Sequence, residues 1–287
     1  MFRLQGMTNS DRDVNWQQTT LTDGRVAAWH RRGSGAPVVL CHGTPWSSVV
    51  WHQVAAELEH SRTVYLWDMP GFGRSSMTGG QDVSIAAQIR ALVELLDVWN
   101  LDRPAVIAHD IGGAVALGAH LLHRRCMQTL VLIDIVTLRP WGSPFFRLVH
   151  DHADVFTQLP PALHEALVRA YISGASYHEV DTATQEALLA PWLSAEGQQA
   201  FYAQIAQCST HDTDPIVDRL PEVTTSTTIL WGSEDSWIPA EQASRLAAAI
   251  PHAHVTLIPG AGHLVHYDAP RPLAHHLRAA LAAHSDG

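Results

Sequence analysis

Two aspartates and a histidine far apart in the chain carry the chemistry: Asp110 in Ala108-His109-Asp110-Ile111-Gly112-Gly113, Asp235 in Gly232-Ser233-Glu234-Asp235, and His263 in Gly260-Ala261-Gly262-His263. The apolar run before Asp110 predicts a strand and Ala114-Val115-Ala116-Leu117 after it a helix, so Asp110 occupies a strand-turn-helix corner that usually presents a nucleophilic serine. An aspartate, with a reference pKa of about 3.9, is ionised at neutral pH and needs no base to become a nucleophile. Its attack on an acyl carbonyl would give an anhydride that reverts. Displacement at a saturated carbon bearing a leaving group gives an alkyl ester instead, and epoxides and alkyl halides are substrates of that kind. His263, oriented by Asp235, then activates water against the ester. The backbone N–H groups of Thr44, in His42-Gly43-Thr44-Pro45, and of Ile111 are placed to receive the oxyanion.

Positioning these groups requires strands that end together. Residues 38–41, 64–67, 105–108, 130–133, 228–231 and 255–258 are short, continuously apolar runs separated by helix-length segments such as 85–99. Strands without alternation are buried on both faces, which predicts a mostly parallel sheet flanked by helices, an α/β fold. Before them, Thr22-Asp23-Gly24 between two strand-like runs predicts a hairpin. The alternation stops after Asp134, and residues 140–215 hold roughly four helical segments and no strand candidate before it resumes at Ser226. The expected organisation is a core from 1–138 and 217–287, with 139–216 as a helical cap over the carboxyl edge of the sheet, where ligands of open α/β folds bind.

Composition narrows the partners. A net charge of −10 with 18 Lys and Arg argues against nucleic acid, whose binding rests on cations at the phosphates. The apolar runs fall well short of the ~20 residues of a membrane span, and Arg3 and Gln5 interrupt the first ten residues, so a cytoplasmic protein without membrane contact is expected. Cys41, Cys126 and Cys208 form no pair with metal or disulfide spacing, and the 19 histidines are scattered. No metal and no cofactor is expected. The expected partner is a small hydrophobic substrate, with a homodimer left open.

The order nucleophile, acid, histidine, together with Asp68-Met69-Pro70-Gly71-Phe72-Gly73-Arg74-Ser75, resembles the α/β-hydrolase superfamily over nearly the whole length. The His-Gly-x-Pro motif and the aspartate corner are similar to the epoxide hydrolase and haloalkane dehalogenase branch, with Ala108 where glycine often stands. In some members the triad acid comes from the strand end at Asp134, which competes with Asp235. The resemblance implies tryptophan directly after the nucleophile in haloalkane dehalogenases, and arginines one and four residues after it in fluoroacetate dehalogenases. Ile111 and Ala114 stand there instead. It implies cap tyrosines as acids in epoxide hydrolases, and Phe201-Tyr202-Ala203-Gln204 looks like one of their motifs, making Tyr202 the candidate acid. Tyr171 and Tyr177 lie later than the other motif expects, and His150 stands nearer its place. Trp46, Trp141, Phe145, Phe146, His150 and Trp192 are expected to bind the substrate. The expected activity is hydrolysis of a hydrophobic epoxide to a vicinal diol through an Asp110 ester. The alternatives are a haloalkane dehalogenase with halide donors such as Trp46 or Trp141, and a biosynthetic or ligand-binding homologue without hydrolytic turnover.

Overall fold

The computed structural model describes residues 15–282. It opens with β1 (Gln17–Thr20) and β2 (Val26–Gly33), an antiparallel hairpin whose turn is closed by the Leu21 N–H donating to the Arg25 carbonyl at 2.8 Å. Gly24, at φ 87°, supplies the positive dihedral that the Asp-Gly pair predicts. β2 then pairs antiparallel with β4 (Arg62–Asp68). From there the sheet is parallel through β3 (Ala36–Cys41), β5 (Ala105–His109), β6 (Thr129–Ile133), β7 (Ser226–Gly232) and β8 (His254–Ile258), in the spatial order β1-β2-β4-β3-β5-β6-β7-β8.

The central strands explain their own sequences. Every residue of β5 and β6 is buried, because helices cover both faces and leave no place for polar alternation. After α1 (His52–Leu58), α2 (Ile85–Val98) and α3 (Ile111–Leu121) pack against each other, and α3 presents almost no polar atom. β8 departs from the expectation of strands buried on both faces. It is the sheet's edge, and Val255 and Leu257 are 37% and 46% exposed. Continuous apolarity here reflects strand propensity rather than burial.

Between β6 and β7, among the described residues, the chain forms helices and no strand: α4 (Pro144–Phe156), α5 (Pro161–Ser173), α6 (Thr182–Leu189), α7 (Ala195–Ala206) and α8 (Thr210–Val217). Five α-helices stand where about four were expected, because small polar residues punctuate the segment. Ser143, Asp181, Ser194 and Ser209 each accept a backbone N–H with the side chain and begin a new helix. α7 is the innermost, with Phe201, Tyr202, Gln204 and Ile205 fully buried. α9 (Glu241–Ala249), α10 (Val265–Asp268) and α11 (Pro270–Ala282) complete the described chain. Among the described residues no helix is long and apolar enough to cross a membrane.

Candidate active site

Asp110 joins β5 to α3 at φ 54° and ψ −128°, a conformation that costs about 1–3 kcal/mol and persists only where the surroundings enforce it. The enforcement is visible. Its N–H donates to the Ile133 carbonyl at 3.3 Å, and its own carbonyl accepts from Gly113 and Val136, both at 3.0 Å. The sharp turn drives the start of α3 against the end of β3. A Cβ at Gly112 would lie 2.4 Å from the His42 carbonyl oxygen, so only glycine allows that approach.

The carboxylate is held at one oxygen and faces the histidine with the other. Oδ1 accepts the Thr44 N–H at 2.7 Å, and Oδ2 stands 3.4 Å from His263 Nε2. Gly43 makes room for it, since a Cβ there would meet the Asp110 Cβ at 2.3 Å. Gly43→Ala is therefore expected to displace the Asp110 carboxylate and lower any turnover at this site by about 100-fold, the scale of a misplacement near 1 Å. Initial rates beside a melting curve test this; a rate within threefold of wild type would show that the carboxylate has room to move.

His263 lies on the other side of Asp110, with Nδ1 2.9 Å from Asp235 Oδ2. The remaining Asp235 oxygen accepts the N–H groups of Trp237 at 2.8 Å and Ile238 at 2.9 Å, which locks the carboxylate in a tight local turn. Burial works against a charged imidazole, but Asp235 and Asp110 on its two nitrogens outweigh it and hold the His263 pKa well above the ordinary histidine value. The competing acid, Asp134, accepts the Gly232 N–H at 2.8 Å with one oxygen and has no partner for the other. Burial, reinforced by Asp235, pushes its carboxyl well above the usual range, which favours the neutral form. Asp235, not Asp134, carries the hydrogen bond to His263. Behind them, His109 Nε2 lies 2.9 Å from the His263 carbonyl oxygen, and buried His266, its pKa pushed down to about 3 by burial, packs against the His109 ring.

A narrow cleft opens onto Asp110, Thr44 and Ile111. Its wall is mostly apolar, from Val136 and Ile238 to the rings of Trp141, Phe146, Tyr171 and Trp237, and among the described residues no Lys or Arg lines it. Of the residues expected to bind substrate, Trp141 and Phe146 line this cavity and the others do not. Phe145 stands behind it against Phe156 and Tyr171. His150 is exposed, its Nδ1 3.0 Å from Asp151. Trp192 is buried and donates its indole N–H to the Pro45 carbonyl, an anchor for the helical segment. Trp46 is buried behind Trp237, stacked on it at 5.7 Å.

Tyr202 is also elsewhere. Its hydroxyl donates to His164 Nδ1 at 2.9 Å, while His164 Nε2 donates to the Trp192 carbonyl at 2.9 Å, and burial raises the Tyr202 hydroxyl to about 12. The reason is helical phase. Residues two apart on a helix point about 200° apart, and it is Gln204 that faces the site, accepting a hydrogen bond from the Thr44 hydroxyl. Tyr171, from α5, is the tyrosine in the cavity wall, its hydroxyl pKa raised by burial and by the Asp110 charge. Spacing from Asp110 had counted against it, but the preceding helices set its position. Gln204 and Trp237 had no role assigned from sequence; the Asp-Ser-Trp spacing, in which an aspartate caps the N–H two residues on, was the available signal for Trp237.

A family model described as "Alpha/beta hydrolase family" matches residues 38–276, and the chain belongs to that family. A solved alpha/beta hydrolase fold protein from Burkholderia ambifaria is 39% identical, covering 91% of this chain and 96% of that one, with a TM-score of 0.88. A putative carbamate hydrolase, RutD, from Pseudomonas savastanoi pv. phaseolicola is 27% identical over 82% of this chain and 89% of its own length. The epoxide hydrolase CorEH, 19% identical with a TM-score of 0.77 over 94% of this chain and 99% of that one, shares the fold. The relatives span several hydrolytic reactions, so the choice among them rests on this chain's own residues.

Proposed function

We propose that this alpha/beta hydrolase opens neutral, apolar epoxides to vicinal diols through a covalent ester of Asp110. The observation that carries the reading is the identity and setting of the nucleophile: a carboxylate in the strained corner, held by the Thr44 N–H and facing His263. In this reading residues 139–216 act as a cap that brings Trp141, Phe146 and Tyr171 over the sheet edge.

Asp110 Oδ2 attacks an epoxide carbon, the C–O bond breaks, and the Tyr171 hydroxyl protonates the departing alkoxide, which is a far stronger base than a phenolate. The Tyr171 phenolate is reprotonated from solvent and the imidazolium of His263 gives up its proton to solvent, which restores the Tyr171 hydroxyl and leaves His263 neutral. Esterification removes the Asp110 charge that helped hold that proton, so His263 becomes a base when a base is needed. It then takes a proton from water, hydroxide adds to the ester carbonyl, and the N–H groups of Thr44 and Ile111 receive the oxyanion. Collapse releases the diol and regenerates carboxylate and imidazolium.

The halide reading is less well supplied. A halide leaving group needs N–H donors in the wall; the Trp141 indole N–H faces the Thr213 hydroxyl at 3.4 Å and Trp46 is outside the cavity, which leaves the Trp237 indole as the one tryptophan donor there. Among the described residues the wall holds no Lys or Arg, which gives a carboxylate substrate no partner there.

The deciding experiment incubates a His263→Gln variant with aryl epoxides and with bromoalkanes and weighs the Asp110 peptide. An adduct carrying the whole mass of the epoxide is expected. An adduct formed only with bromoalkanes, with bromide released, would make the protein a dehalogenase. No adduct with either class would leave a binding or biosynthetic homologue.

A further inference from the structure

Trp237 lies where the two arms of the site meet. Its backbone N–H donates to Asp235 Oδ1 at 2.8 Å. Its indole stacks on the His263 imidazole, centroids 5.1 Å and planes 26° apart, and on the Tyr171 ring at 4.3 Å and 18°. Trp46 extends the stack at 5.7 Å and 16°. The same indole lines the cavity beside Asp110. One rigid plate thus touches the ring assigned as acid in the first half of the reaction and the ring assigned as base in the second.

We propose that Trp237 is a positioning residue that holds Tyr171 and His263 in register across the cavity and whose π face favours the imidazolium form of His263. The inference rests on the epoxide reading. Tyr171 and His263 each turn about two side-chain bonds, and an aromatic plate fixes the plane of a neighbouring ring without adding a polar group to an apolar wall. The negative face of an indole attracts a cation, so the stack favours the charged imidazole. The other groups facing His263 are Asp110 from the β5–α3 corner, Asp235 from the loop after β7, Asp134 from the end of β6, His109 from β5 and His266 from α10. Substitution at 237 leaves these groups in the chain, so a changed His263 titration in a variant that keeps the Asp235 turn reports on the indole.

The test follows formation and decay of the Asp110 adduct in single turnovers of an aryl epoxide for Trp237→Leu and Trp237→Phe, each with Tyr171 present and replaced by Phe, and titrates His263 by NMR. Trp237→Leu is expected to slow formation and decay by about 10-fold each, with KM changed by less than about threefold. Trp237→Phe, which keeps a plate, recovers most of the loss. In the Tyr171→Phe background the effect of Trp237→Leu on adduct formation disappears, the non-additivity expected of residues acting through each other. The His263 titration moves down by about half a pH unit to one unit. Additive effects in the two backgrounds, or a change confined to KM with an unmoved titration, would reduce Trp237 to a wall and overturn the inference. A wild-type adduct accompanied by additive effects sinks this inference alone, whereas no wild-type adduct with any epoxide sinks the epoxide reading and this inference with it. Trp237→Met supplies the same cycle if leucine prevents folding.

Discussion

On the epoxide reading, Asp110→Asn is expected to leave the fold intact and remove the reaction. Asparagine matches aspartate in volume and tolerates a positive φ nearly as well, so the corner at φ 54° and its bonds to Ile133, Gly113 and Val136 are retained. The amide oxygen can still accept the Thr44 N–H. What is lost is the anionic oxygen facing His263, and a neutral amide does not displace an epoxide oxygen at saturated carbon. Diol formation is expected to fall by at least about 10,000-fold, the scale seen when a covalent nucleophile is deleted. No adduct forms on the 110 peptide, and the melting temperature stays within a few degrees of wild type. Removing the charge also lowers the His263 pKa, because one of the two carboxylates that outweigh its burial is gone. Chromatographic assay of the diol, mass spectrometry and calorimetry on the same preparation check all of this. A rate within 10-fold of wild type would overturn the covalent route in favour of direct attack by a water activated at His263.

How much was legible in the sequence follows from how local each signal is. The parallel strands were readable because burial on both faces leaves an unbroken apolar run, and β5 and β6 are such runs. β8 shows the limit, since an edge strand with Val255 and Leu257 exposed carries the same pattern for a different reason. The corner at Asp110 was readable because Gly112 and Gly113 follow it at the spacing a tight strand-helix approach needs. The choice between Asp235 and Asp134 was not, because both end neighbouring strands and both are buried. Only the hydrogen bond from His263 separates them. The cavity wall was least legible. Trp141, Phe145 and Phe146 are near neighbours in sequence, yet only the first and last line it. Which aromatic faces inward depends on helix phase and on where each helix starts. Ser143 fixes that start for α4, and Gln204 on Thr44 fixes the phase of α7.

Tyr171→Phe against Tyr202→Phe is the sharpest test of the acid, because the two tyrosines were exchanged between sequence and structure. Tyr171 lines the cavity with Asp110, and burial together with that charge keeps its hydroxyl protonated at working pH. Tyr202 spends its hydroxyl proton on His164. Removing the Tyr171 oxygen takes away the acid assigned to the alkoxide and is expected to slow Asp110 alkylation by an epoxide by about 1,000-fold, within the span ascribed to general acid catalysis. Hydrolysis of an ester already formed should change by less than about threefold, since His263 and the two N–H donors carry that step. Removing the Tyr202 oxygen should instead cost stability of about 1–3 kcal/mol, the consequence of a buried His164 nitrogen left unpaired, with alkylation within about twofold of wild type. An alkyl bromide supplies the internal control. Bromide needs no proton on leaving, so Tyr171→Phe should barely affect any alkylation by a bromoalkane that the wild type carries out. Stopped single turnovers with both electrophiles, followed by mass of the Asp110 peptide, separate the cases. Equal slowing of epoxide and bromide would show Tyr171 to be a wall residue only, and a large effect at Tyr202 would mean that α7 turns its tyrosine inward when substrate binds.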